Sequence, residues 1–140
     1  MGRVACLIVV VGLVACAGCG SRYIDIQLDR PTDLDQPAWI GVYFLDQETA
    51  LDSFENLQLA DPDAIGIGAG VVDKEVYSLQ PGAVKTIRME DYAEQIQWIV
   101  VAAGFPGDPE CARKMIAVKE GAKLNLSITV HSDCITVDVD

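Results

Sequence analysis

The order of hydrophobic and polar residues along this 140-residue chain predicts short β-strands divided by turns. After residue 21, short runs rich in Val, Ile, Thr and aromatic residues alternate with segments containing Gly, Pro, Asp or Ser. The predicted strands cover residues 22–28, 38–45, 71–79, 84–89, 97–104, 113–118, 123–130 and 135–139. Such a pattern favours an all-β fold, an antiparallel β-sandwich of about eight strands.

One segment, residues 46–60, has a different period. Leu51, Phe54 and Leu57 recur at three-residue spacing with acidic residues between them, which predicts one short helix with Thr49 as a candidate N-cap. The Gly-rich residues 61–70 are predicted to be a loop.

The first 21 residues have the layout of a secretory signal peptide. Arg3 lies beside the amino terminus, an uncharged apolar run covers residues 4–14, and small residues surround Cys16 and Cys19. This apolar run is shorter than the roughly 20 residues that a membrane-spanning helix needs. We therefore expect three regions: a signal peptide at residues 1–15, a lipidated tether at 16–21 and one β-sandwich domain at 22–140.

The sequence Leu13-Val14-Ala15-Cys16 resembles the bacterial lipobox. The resemblance implies that the Cys16 thiol receives a diacylglycerol, which anchors the mature chain to a membrane. Cys19, which also follows small residues, is the alternative lipidation site. Lipidation at Cys16 leaves an odd number of cysteines in the mature chain, whereas lipidation at Cys19 leaves the even pair Cys111 and Cys134.

The net charge after removal of the signal peptide is strongly negative. Nine basic and 21 acidic residues remain, which gives a formal net charge of −12. Nucleic acids and anionic lipid surfaces attract basic proteins, so this composition argues against nucleic acid as a partner. The acidity serves solubility, or it steers the protein toward a basic partner.

Cys111 and Cys134 are candidates for a disulfide, because secreted proteins meet an oxidising compartment. Two buried free thiols are the alternative. The only histidine, His131, lies beside Ser132 and Asp133, and consecutive residues do not form a catalytic triad. We therefore expect neither an enzyme nor a metal or cofactor site.

Four aromatic residues of the predicted strands leave a second function open. Trp39, Tyr43, Phe44 and Trp98 could form a platform for a sugar or peptide ligand, although burial in the core is the favoured interpretation. Solvent exposure of Trp39 or Trp98 would support a periplasmic ligand-binding lipoprotein.

A series of short motifs recurs in a characteristic order. Five motifs follow the lipobox in turn: Ala38–Leu45 with Asp46, the pair Phe54 and Leu57, Val71-Val72-Asp73, Leu79-Gln80-Pro81-Gly82, and the stretch from Ile99 to Phe105. In this order they resemble the TssJ (VasD-like) outer-membrane lipoproteins of type VI secretion systems.

The resemblance implies a transthyretin-like β-sandwich without catalysis. It also implies a role in anchoring the secretion membrane complex at the outer membrane, facing the periplasm, by binding the periplasmic part of the large inner-membrane subunit, TssM. The loop between the first two strands contributes to that contact in the family. The corresponding partner-binding residues here are Asp29, Arg30, Thr32, Asp33, Leu34, Asp35 and Gln36. The alternative is an ordinary solvated loop.

Overall fold

A computed structural model describes residues 22–92, 94–119 and 123–140. The signal peptide, the tether and both candidate lipidation sites, Cys16 and Cys19, lie outside these described residues. No helix in the described part of the chain is long and apolar enough to cross a membrane.

The described residues form eight strands, one α-helix and one 3-10 turn. The strands are β1 (Tyr23–Asp29), β2 (Ala38–Leu45), β3 (Val71–Leu79), β4 (Val84–Glu90), β5 (Trp98–Ala103), β6 (Arg113–Ala117), β7 (Lys123–Val130) and β8 (Ile135–Val139). The helix α1 is Asn56–Leu59, and the 3-10 turn is Glu110–Ala112. The predicted mostly-β fold with one short helix is confirmed.

Two four-stranded sheets pack against each other. The first sheet has the strand order β4-β1-β7-β8 and the second has β3-β2-β5-β6. Neighbouring strands are antiparallel except β1 and β7, which run parallel from Tyr23 beside Lys123 to Asp29 beside Thr129. The alternation of hydrophobic and polar residues within each strand could not predict this parallel pair, because the pair joins strands far apart in the sequence.

The main core lies between the sheets. Alternate residues of β1 (Ile24, Ile26 and Leu28) and of β2 (Ala38, Ile40, Val42 and Phe44) point into it and are fully or almost fully buried. Strand β2 is also covered on its other face, which explains why it is apolar at nearly every position.

Residues 46–70, here called the cap segment, cover that outer face of the second sheet. Leu51, Leu59 and Ile65 of the cap segment form a second buried cluster with Tyr43 and Leu45 of β2. The Tyr43 hydroxyl donates to the Leu59 carbonyl oxygen at 2.7 Å. A Cβ atom at Gly41 would lie 2.1 Å from the same oxygen, so only glycine permits this approach.

The helix is shorter and later than the spacing predicted. It begins after Glu55, not Thr49, and the Gln58 side-chain oxygen accepts the Glu55 amide at 2.8 Å. Residues 47–53 form turns instead. Leu51 is buried, but Leu57 of the predicted apolar face is 55% exposed. The three-residue spacing reflected a segment wrapped over a sheet rather than a regular amphipathic helix.

Candidate functional site

The loop between β1 and β2, residues 30–37, lies at one end of the sandwich. Strand pairing places the end of β1, at Asp29, beside the start of β4 and the end of β7. The start of β2, at Ala38, lies beside the end of β3. This end of the molecule therefore contains the β1–β2 loop, the 80–83 turn and the 131–134 turn. Arg22, where the tether joins the described residues, lies at the other end of β1.

Apart from Pro37, the exposed residues of the loop are polar or acidic. Thr32, Asp33, Asp35 and Gln36 are exposed, whereas Leu34 is half-buried. Asp29 is also half-buried, and its carboxylate accepts a hydrogen bond from Gln27 at 3.0 Å. The loop thus presents two free carboxylates and an amide to solvent, groups that suit a basic or hydrogen-bonding partner surface.

Arg30 departs from this pattern because its side chain is buried, with 6% of its surface exposed. Its guanidinium donates to the carbonyl oxygens of Val130 at 3.0 Å, of Gln36 at 2.8 Å and of His131. Burial lowers the Arg30 pKa. The expectation that Arg30 contacts a partner does not fit this geometry, because the guanidinium is already bound to the protein's own backbone.

The first residues of the loop are fixed by the neighbouring turn. The Arg30 amide donates to the Ala83 carbonyl at 3.0 Å, and the Gly82 amide donates to the Arg30 carbonyl at 2.8 Å. Gly82 has a φ of +79°, which favours glycine, and the Thr32 methyl carbon would lie 3.0 Å from an added Cβ there. The Pro-Gly turn therefore also supports the loop.

A disulfide joins the two sheets at the same end. Cys111 lies in the 3-10 turn before β6 of the second sheet, and Cys134 precedes β8 of the first. Their Cα atoms are 4.9 Å apart, within the usual range for a disulfide. The sequence suggested this pair but not its position beside the β1–β2 loop.

A shallow apolar groove lies on the outer face of the second sheet. Trp39 is 47% exposed and Leu57 is 55% exposed, and both line the groove with Ala60, Asp61, Pro62 and Gly104. The favoured burial of Trp39 in the core is wrong, because Trp39 points outward at the start of β2, beside the cap segment. Tyr43 and Phe44 are buried, and Trp98 is half-buried.

The polar residues around His131 make two separate contacts. His131 Nε2 lies 3.1 Å from the Thr136 hydroxyl, and the Ser132 hydroxyl faces Asp133 at 3.5 Å. Among the described residues, no group of three or more His, Cys, Asp or Glu side chains is arranged to hold a metal ion.

A sequence profile identifies the family of this chain. The profile described as type VI secretion lipoprotein, VasD, EvfM, TssJ matches residues 29–133. No curated protein matches the chain.

Solved structures share the fold at low sequence identity. The type VI secretion lipoprotein TssJ1 from Pseudomonas aeruginosa is 20% identical with a TM-score of 0.72, covering 86% of this chain and 98% of that one. Serratia marcescens Lip, a membrane-bound component of the type VI secretion system, is 15% identical with a TM-score of 0.69, covering 85% and 97%. A chain of the TssM C-terminal domain structure from EAEC is 16% identical with a TM-score of 0.59, covering 84% and 97%. These similarities establish the β-sandwich fold.

Proposed function

The chain belongs to the type VI secretion lipoprotein family, and from this membership we propose that it anchors a type VI secretion membrane complex at the outer membrane. In this proposal it binds the periplasmic part of the large inner-membrane subunit, TssM, through the β1–β2 loop. A TssM C-terminal domain structure includes a chain of the same fold, which supports this choice of partner. In this proposal the role is structural rather than catalytic.

The observation that carries the proposal is the position of the exposed acidic loop relative to Arg22, the residue that follows the predicted tether in the sequence. Strand β1 has seven residues and separates Arg22 from the loop. At about 3.3 Å per residue, this strand separates Arg22 from the loop by about 23 Å. A chain that enters the domain at one end and presents an exposed polar loop at the other suits a protein that holds a periplasmic partner to a membrane.

The anchor follows from the lipobox. Stable anchoring takes two acyl chains or an equivalent second signal, and a diacylated cysteine supplies both chains. The residues after the two candidate cysteines are Ala17 and Gly20. Neither is aspartate, the residue that retains enterobacterial lipoproteins in the inner membrane, so we propose outer-membrane attachment facing the periplasm.

Charge reversal in the loop tests the partner-binding role. The double variant Asp33→Lys, Asp35→Lys should slow association with the purified periplasmic region of TssM about tenfold at low salt, because charge complementarity acts mainly on the association rate. The matched control is Asp46→Lys, Glu48→Lys, which reverses two exposed charges with the same spacing at the other end of β2. Surface plasmon resonance would measure the association rates of both double variants. Equal rates for the two variants, or no binding by the folded wild type, would exclude this role for the loop.

The exposed Trp39 groove supports a second candidate function, the binding of a sugar or peptide ligand. An exposed indole in a groove is a common platform for such ligands. A panel of soluble glycans and short peptides should then change the fluorescence of the wild type but not of Trp39→Ala. If no member of the panel changes the wild-type signal, this candidate is removed and the groove needs another explanation.

A further inference from the structure

We propose that Arg30 and the Cys111–Cys134 disulfide are positioning residues that hold the β1–β2 loop in the conformation that binds the partner. The proposal rests on the proposed function, because it takes this loop as the partner-binding element. It assigns to Arg30 an indirect role, in which the side chain fixes the loop without touching the partner.

The Arg30 guanidinium closes the loop across its base. Arg30 is the first residue after β1, and Gln36, whose carbonyl it holds at 2.8 Å, lies two residues before β2. The same guanidinium holds the Val130 carbonyl at the end of β7 at 3.0 Å, and the His131 carbonyl next to it. One side chain therefore connects both ends of the loop to the neighbouring turn.

The acceptors on that turn are themselves fixed by the disulfide. The His131 amide donates to the Cys134 carbonyl at 2.8 Å, which closes the 131–134 turn. Cys134 is bonded to Cys111, just before β6 of the second sheet. The loop, Arg30, the turn and the disulfide thus form one continuous connection between the two sheets.

Only arginine suits this arrangement. Its planar guanidinium directs several N–H groups at carbonyls on different segments, whereas lysine carries its charge on a single nitrogen. The recorded acceptors are three backbone carbonyls rather than a carboxylate, and the buried Nε has no hydrogen-bond partner among the described residues. Burying a cation with incomplete hydrogen bonding lowers the stability of the folded protein. This cost indicates that Arg30 serves to fix one specific conformation of the loop.

A fixed loop binds more tightly because less conformational entropy is lost on association. We therefore expect Arg30→Met to weaken binding to the periplasmic region of TssM about tenfold or more, a change in affinity typical of lost preorganisation. In the free protein, the backbone of residues 32–36 should become more mobile, which lower ¹⁵N relaxation order parameters would show. Arg30→Lys should fail to restore either property, although it keeps the charge.

The disulfide should act through the same connection. The double variant Cys111→Ser, Cys134→Ser should weaken binding in the same direction, by about threefold or more. Combined with Arg30→Met, it should weaken binding by less than the product of the separate effects, because the two changes release one element. Independent, fully multiplicative effects would overturn the link between them.

Arg113→Met is the matched control. Arg113 also holds backbone carbonyls, those of Leu51 and Phe54, but it secures the cap segment and not the loop. The mature lipoprotein in detergent, with each variant shown to be folded by circular dichroism, should keep its affinity within about twofold when Arg113 is changed. Equal losses for the Arg113 and Arg30 variants would mean that only general stability matters, and the proposal would be wrong.

The mobility of the loop in the free protein separates this proposal from the partner assignment. If the wild type does not bind TssM, the proposed function fails, whereas the ¹⁵N order parameters of residues 32–36 still report whether Arg30 positions the loop. Unchanged order parameters in a folded Arg30→Met variant would overturn the positioning role, whatever the partner is.

Discussion

Three residues determine how the cap segment approaches the second sheet. The Leu59 carbonyl lies over Gly41, where a side chain would collide with it, and accepts a hydrogen bond from the Tyr43 hydroxyl. Gly41 supplies the space and Tyr43 supplies the donor that this buried carbonyl needs. The position of a whole segment therefore depends on two neighbouring outward-facing positions of one strand.

Replacement of Gly41 by alanine should destabilise the protein severely. The added Cβ would lie 2.1 Å from the Leu59 oxygen, a backbone atom that cannot move alone. We expect a loss of about 3 kcal/mol in the free energy of unfolding, measured by urea denaturation. Gly66→Ala is the control, because nothing lies within 4 Å of its added Cβ. A similar loss in both variants would contradict the steric explanation.

Tyr43 should also make stability depend on pH in the alkaline range. Burial, and then the charge of Asp61, raise the Tyr43 pKa from 10.0 to about 12. The unfolded chain therefore loses this proton at a lower pH than the folded protein does, and stability falls as the pH rises from 10 toward 12. Urea unfolding at several pH values should show this decline, and Tyr43→Phe should make it shallower. An equally steep decline in that variant would assign the effect to other groups.

At the scale of elements, side chains from the second sheet other than Tyr43 also hold the cap segment, among them Arg113. Arg113, at the start of β6, donates to the Asn56 side chain at 2.6 Å and to the Phe54 carbonyl at 2.5 Å. Asn56 in turn donates to Asp108 at 2.7 Å. These contacts fix a segment whose only regular structure is a single helical turn, too short to be stable alone.

Loss of Arg113 should therefore loosen the cap segment before the sandwich. Hydrogen bonds to a charged donor each stabilise a protein by about 1.5–3 kcal/mol, so Arg113→Met should lower the free energy of unfolding by about 2–3 kcal/mol. Limited proteolysis should then cut within residues 46–70 faster than elsewhere. Lys114→Met, a change at the exposed neighbouring position, should leave the cleavage pattern unchanged. Cleavage outside the cap segment would show that it is not the least stable element.

The strands could be predicted from sequence because their alternation is a local property. Ile24, Ile26 and Leu28 point inward at every second position, as the period predicts. Strand β1 pairs with β7, and Arg30 is buried against Val130. Both features depend on contacts between residues about 100 positions apart, which local patterns do not encode. The exposure of Trp39 could not be predicted for a related reason, since it depends on where the cap segment ends on the sheet.

At the scale of the whole molecule, the two ends of the sandwich carry different features. Arg22 lies at one end, whereas the β1–β2 loop, the disulfide and the buried Arg30 lie at the other. The disulfide that joins the two sheets thus lies at the end proposed to hold the partner. Under the proposed function, this covalent link strengthens the domain where force from the partner would enter it.

The cysteine pairing bears on which residue carries the lipid. Since the structure joins Cys111 to Cys134, lipidation at Cys16 leaves Cys19 as an unpaired thiol, whereas lipidation at Cys19 leaves none. The lipobox match favours Cys16 and the cysteine parity favours Cys19. The intact mass of the mature lipoprotein distinguishes them, because the two products differ by the residues Cys16, Ala17 and Gly18.

We expect the larger product, with its lipid on Cys16. Treatment with a thiol-specific alkylating reagent under denaturing, non-reducing conditions should then add one label, on Cys19, and two more after reduction of the disulfide. Cys16→Ser should block maturation, while Cys19→Ser should mature normally and lose the single label. A mature chain that begins at Cys19 and takes no label before reduction would instead place the anchor three residues closer to the domain.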